Sequence, residues 1–167
     1  MVSRDPAHPS PTIRRANDAD VETMTELART AYAKYVERIG REPEPMTDDY
    51  ATVVHENEVW LAEEDGNLVG MLVLRAADSH VLLKNVAVAP GAQKLGTGKL
   101  LLDLADERAR QQGLAEVRLY TNVVMTENLA YYLRHGYHET HRATDDDFER
   151  VYLTKPLVTK WSRSPAD

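Results

Sequence analysis

The chain has 167 residues, 43% hydrophobic and 28% charged, which suits one globular domain with a sizeable core and excludes a disordered chain. No stretch approaches the ~20 apolar residues of a membrane span. The opening MVSRDPAHPSP carries Asp5, His8 and three prolines where a signal peptide would be apolar, so a cytoplasmic chain with no membrane partner is expected. A net charge of −7 excludes a broad nucleic-acid surface, which needs clustered basic charge. With no cysteine, disulfides, zinc-thiolate sites and a Cys nucleophile are excluded together.

Residues 1–11 and 158–167 read as tails, with Trp161 a candidate to tuck onto the body. Between them, Thr12–Arg15 reads as a first strand. Asn17 or Asp18 then caps a helix whose Val21, Met24, Leu27, Ala31, Tyr35 and Ile39 share one face. Gly40 ends it, and Pro43 and Pro45 keep it ended. A shorter helix fits Asp48–His55. Glu58–Glu64 and Leu68–Arg75 read as a hairpin turning at Gly66-Asn67, and Val81–Val88 as a buried strand closed by Pro90-Gly91. A helix from about Gly98 to Gln112 follows, with Leu101, Leu104, Ala105 and Ala109 inward, then a strand at Val117–Thr121. Thr126 caps a last helix through His135, with Gly136 at its C′ position. Strands near Tyr137–Arg142 and Arg150–Leu153 flank an acidic turn at Asp145–Asp147. The order predicts a mixed α/β sheet.

The chemistry concentrates between Asn85 and Leu100. A buried strand runs through a Gly-bearing turn straight into a helix, whose first N–H groups and positive dipole end suit phosphate. Gly96 and Gly98 let backbone approach a ligand, and Lys94 and Lys99 bring positive charge to an acidic protein. Neither a Walker loop nor a dinucleotide fingerprint fits: Thr97 stands where the Walker Lys is needed, and Leu101 where the third Gly of G-x-G-x-x-G is needed.

The run V-A-V-x-P-x-x-Q-x-x-G-x-G from Val86 to Gly98 resembles the acetyl-CoA motif of the GNAT superfamily of N-acyltransferases. The later Asn128-Leu-Ala-Tyr-Tyr-Leu-Arg-His-Gly-Tyr137 is similar to the family's second signature, a helical Tyr four residues before a Gly-aromatic pair. The resemblance implies a single domain over 12–157: a mixed, mostly antiparallel sheet of about six to seven strands flanked by about four helices. It implies an N-acetyltransferase moving an acetyl group from acetyl-CoA to a primary amine of a small molecule, amino acid or protein. Val86, Ala87 and Val88 would pair with the pantetheine arm, and Gln93, Lys94, Leu95, Gly96, Thr97, Gly98 and Lys99 would cradle the pyrophosphate. Asn128 would contact CoA, and Tyr132 would protonate the departing thiolate, with Tyr131 the weaker candidate. Relatives are often dimers, which leaves a homodimer open.

The chain departs from the family where many relatives carry a catalytic Glu: those places hold Lys84 and Tyr120. Met125 replaces an Asn that often contacts CoA, with Asn122 and Asn128 as substitutes. A water chain to Glu63 or Glu64, or an amine arriving neutral, are the routes left for deprotonation. These departures motivate the alternative of a catalytically weak acyl-CoA-binding module. Lys84 would pair with an acidic acceptor or extend to solvent. No metal is expected: His135 ends a helix, and a step of three along a strand would put His138 and His141 on opposite faces. Asp145–Asp147 lacks the pattern of a calcium loop. Trp60 and Tyr152 read as core or sheet surface.

Overall fold

The computed structural model describes residues 10–158; the proposed placement of Trp161 lies outside them. Seven strands form one sheet in the order β1-β2-β3-β4-β5-β7-β6. They are β1 Thr12–Arg15, β2 Glu58–Glu64, β3 Asn67–Ala76, β4 Val81–Val88, β5 Glu116–Asn122, β6 His138–Asp145 and β7 Phe148–Pro156, with helices α1 Val21–Ile39, α2 Glu44–Thr47, α3 Tyr50–Glu56, α4 Thr97–Gln111 and α5 Thr126–Arg134. The pairs β1·β2, β5·β7 and β6·β7 are antiparallel, whereas β4 meets β5 in parallel at Val81↔Val117 and Leu82↔Arg118. The expected strand and helix order holds, with α2 as an additional turn of helix. Pro45 is accommodated in its first turn, where no helical N–H bond is lost.

The chain divides into two compact units, residues 10–73 with 85–102 and residues 74–84 with 103–158. In the first, α1 buries Met24, Leu27, Ala31 and Tyr35 of the predicted stripe, with Ala28 and Tyr32 beside them, and leaves Val21 and Ile39 at its two ends half-buried. β3 runs buried without interruption from Gly70 to Val73, as a strand covered on both faces must. Gly40 closes α1 at φ 82°. The entry to α1 is held by a reciprocal cap: Asn17 Oδ1 accepts from the Ala19 amide, and Asp20 Oδ2 from the Asn17 amide. Asp20 also takes two hydrogen bonds from Arg14 at 2.9 and 2.7 Å, and Arg14 reaches Glu63 at 2.6 Å. These bonds tie β1, β2 and the start of α1 together.

The β2–β3 turn falls one residue earlier than expected. Asp65 and Gly66, at φ 52° and 77°, form the left-handed pair of a tight hairpin, and Asn67 already belongs to β3.

In the second unit, Val117, Leu119, Val151 and Leu153 are buried from facing strands of the β5·β7 ladder. β6 and β7 run longer than predicted. They meet in a two-residue turn in which Asp146 and Asp147 take φ 49° and 64°, conformations that Asp tolerates better than most residues. The histidine expectation is corrected here. The β6·β7 register shifts between Glu139 and His141, so that His138 faces Thr154 and His141 faces Tyr152. The extra residue of this bulge turns both histidines to one face.

Arg14 holds the Asp20 carboxyl below the usual carboxylate range by hydrogen bonding. A carboxyl lowered by folding contributes stability that is complete above its unfolded value near 4 and is lost as the pH falls through the folded value. Arg14→Met should therefore be less stable than the unmodified chain at pH 7 by about 2 kcal/mol. Urea unfolding at a series of pH values should show that gap closing below about pH 4.

Candidate active site

Residue 89 sets the geometry of the loop. The Ala89 amide donates to the Val69 carbonyl of β3 at 2.8 Å. Backbone groups alternate edges along a strand, so Val86 and Val88 turn theirs to the edge of β4 away from β3. Pro90–Ala92 forms a single 3-10 turn, and the Gln93 amide side chain donates to the Val88 carbonyl at 3.3 Å. Gly96 takes φ +86°, and the Leu100 amide is bonded to the Gly96 carbonyl at 3.1 Å. An α-helix leaves roughly its first four amides without helical partners; here these are the amides around Thr97, Gly98 and Lys99. Gln93, Lys94, Leu95, Gly96 and Lys99 are exposed. The structure thus gathers all the loop residues singled out in the sequence into one strand-turn-helix corner.

That corner depends on Gly70, which sequence reasoning passed over. A Cβ there would stand 2.9 Å from Leu101 Cδ1, 3.1 Å from Thr97 Cγ2 and 3.4 Å from the Ala87 carbonyl. Glycine on β3 lets the first turn of α4 lie directly on the strand. Thr97, only 1% exposed, fills the space. A Gly in the middle of an apolar strand signals such a close approach, but not what approaches.

A polar group inside the first unit also went unread. The Tyr32 hydroxyl lies 2.6 Å from Asn85 Oδ1 and 3.1 Å from the Val86 carbonyl. Asn85 Nδ2 donates to the Tyr50 oxygen at 3.3 Å, and Tyr50 donates to the Pro45 carbonyl at 2.5 Å. Asn85, Tyr32 and Tyr50 are all buried. Glu63, one candidate base, has its carboxylate committed to Arg14. Lys84 is exposed, which fits the solvent reading.

In the second unit, α5 carries Asn128, Tyr131 and Tyr132. Thr126 does not cap this helix: Met125 occupies the cap position and makes no capping bond with its side chain. The Met125 sulfur instead lies 3.6 Å from the Thr121 hydroxyl and 3.7 Å from Asn128 Nδ2. Asn122 Oδ1 accepts from the Val124 amide, which uses it in the turn before α5. Tyr132 is buried, with its ring 5.7 Å from that of Tyr137, and its carbonyl accepts from the His135 and Tyr137 amides. Burial and the nearby Asp103 push the Tyr131 hydroxyl above its ordinary pKa.

Behind Tyr137, Lys155 Nζ donates to Asp106 Oδ2 at 2.5 Å. The Lys155 stem passes over Gly136, whose Cβ would meet Lys155 Cε at 3.2 Å and whose φ is +94°. The glycine of the Gly-aromatic pair therefore serves both as helix terminator and as passage for this buried ion pair. Burial, with the charge of Asp106, pushes the Tyr137 hydroxyl up, so it stays protonated.

On the same unit's sheet, His80, His138, His141, Tyr120 and Tyr152 line an open cleft of about 680 Å³. His141 stacks on Tyr152 at 4.3 Å, and the Arg150 guanidinium lies 4.2 Å over Tyr120. Desolvation lowers the His80 pKa, helped by Arg118. Among the described residues, no group of three or more His, Asp or Glu is placed to hold a metal ion.

The sequence pattern of the acetyltransferase (GNAT) family matches residues 21–137, so the chain belongs to that family. The fold agrees. PaiA N-acetyltransferase from Thermoplasma acidophilum, solved with coenzyme A, superposes with a TM-score of 0.75 at 20% identity, covering 89% of this chain and 100% of that one. A GNAT acetyltransferase from Elizabethkingia anophelis, solved with acetyl-CoA, gives 0.68 at 20% identity, covering 89% and 99%. In sequence, a mycothiol acetyltransferase from Jonesia denitrificans is 31% identical over 94 residues, covering 55% of this chain. The chain spans only 30% of that relative's length.

Gly70→Val should lower stability by about 2 kcal/mol through overpacking against Thr97 and Leu101. Chemical denaturation measures the loss, and a stability equal to that of the unmodified chain would contradict the seating of α4 on β3.

Proposed function

We propose that the protein is an N-acetyltransferase that moves an acetyl group from acetyl-CoA to a primary amine. The observation that carries this reading is the corner from Val86 to Lys99: the end of β4 runs through one tight turn, with Gly96 at φ +86°, into a helix start whose first amides have no helical partner. The β4 edge offers the Val86 and Val88 backbone groups to the pantetheine arm as if to an added strand. The amides from Lys94 to Lys99 take the pyrophosphate, and Gly96 and Gly98 allow its close approach. Family membership and neighbours solved with coenzyme A or acetyl-CoA support the same cosubstrate.

The reaction balances without a protein nucleophile. The amine nitrogen attacks the thioester carbon, the C–S bond breaks, the nitrogen gives up one proton and the CoA sulfur receives one. A strand amide polarises the carbonyl oxygen, and Tyr132 supplies the proton to sulfur, as a phenol protonated at neutral pH can. Asn128 contacts CoA. With no cysteine in the chain, transfer is direct, within a ternary complex. A cytoplasmic location and a homodimer belong to the same reading.

Release of CoA thiol, measured with a thiol reagent and a panel of amines, tests the proposal against a protein with no thiol background. Amine-stimulated release is the expected result; its absence across the panel would overturn it. Tyr132→Phe should lower kcat by about a hundredfold while leaving the acetyl-CoA dissociation constant within about twofold. Unchanged turnover in that variant would remove Tyr132 from the mechanism.

A further inference from the structure

Along β5 and β7, Val117, Leu119, Val151 and Leu153 are buried on one face of the ladder. Alternation sends Arg118, Tyr120, Tyr152 and Thr154 to the other. The register sets Tyr120 directly opposite Tyr152. On β6, Glu139 lies opposite Leu153, so regular pairing would bring Thr140 to Tyr152 next. The bulge passes over Thr140 and brings His141 there instead. A row Tyr120–Tyr152–His141 therefore crosses three strands, and the bulge is what places the imidazole in it.

Tyr152 stands in the middle of the row. The His141 ring lies parallel to it within 8° at 4.3 Å, and the Tyr120 ring packs at 5.7 Å. Rings already held by one another lose little further freedom when a ligand arrives. With Leu82, His138 and Thr154 they line the cleft of about 680 Å³, a volume within the range of small-molecule sites. The permanent charges of its wall are matched: Arg118 donates to Glu116, and Asp145 accepts from Arg150 Nη1 at 2.6 Å. Burial holds the His80 imidazole toward its neutral form. A charged ligand would give up hydration here without meeting an unmatched counter-charge. A flat ring can lie offset or edge-to-face against several rings at once, which a puckered saturated ring cannot.

We propose that this cleft binds a neutral, flat aromatic group of a small molecule. All its lining residues belong to the second unit, and none is among those given to acetyl-CoA or to the proton donor, so the site is independent of the acetyl-transfer reading.

The test is amide chemical-shift titration of the whole chain with four probes: benzamide, its saturated counterpart cyclohexanecarboxamide, benzoate and benzylammonium. Benzamide should shift Tyr120, His141 and Tyr152 together with one affinity, at least about threefold tighter than each of the other three. His141→Ala removes one ring from an exposed position; it should weaken benzamide about three- to tenfold, the range for losing one aromatic pair, with the melting temperature near wild type. His141→Phe keeps a ring in the row and should hold the affinity within about twofold of wild type. No saturation by about 10 mM benzamide, shifts confined to other residues, or equal binding of cyclohexanecarboxamide would overturn the inference. So would tighter binding of either charged probe, or undiminished binding of benzamide by His141→Ala.

Discussion

The close seating of the first turn of α4 on β3 is the constraint from which the rest of the first unit follows. Thr97 stands where any side chain at position 70 would stand, and Leu101 continues the contact one turn later. Because α4 starts there, the turn from Pro90 to Gly96 must reverse direction within a few residues, and Gly96 adopts a left-handed φ to do so. The proposed pyrophosphate site is thus a consequence of packing: the backbone groups that cannot bond within the helix are the ones the proposal gives to the ligand.

Two buried polar groups complement this packing. One is neutral, Tyr32–Asn85–Tyr50, and joins α1, α3 and the segment holding Pro45 to β4. The other is charged, Asp106–Lys155, and joins α4 to β7 within the second unit. Neither is a cheap source of stability, since each group had to leave water. Their contribution is direction. A hydrogen-bonded amide fixes which atoms donate and which accept, and an ion pair threaded past Gly136 fixes the turn that follows Tyr132. Hydrophobic contact alone specifies neither.

How much of this was legible in the sequence depended on how local the interaction was. The motif from Val86 to Gly98 is contiguous, so its residues could be named and their gathering expected. Helix α1 announced itself through its apolar spacing and Gly40. Gly70 and Thr97 are far apart in the chain, and a lone strand glycine does not say what lies against it. Tyr32 and Asn85 are separated by 53 residues and Asp106 and Lys155 by 49, so no spacing rule could pair them. The histidines of β6 were misread because a bulge adds one residue to a strand without marking the sequence. The tight turn at Asp146 and Asp147 was visible as an acidic cluster, but its left-handed geometry lengthened both flanking strands beyond their apolar patterns.

The central claim is that strand edge and helix start form one ligand surface. Amide chemical-shift mapping during titration with coenzyme A tests it residue by residue. The account predicts that the largest shifts fall on Val86, Val88 and the amides from Gly96 to Lys99, saturating together with one affinity. Saturable coenzyme A binding that leaves those amides unmoved, or no binding at all, would contradict it.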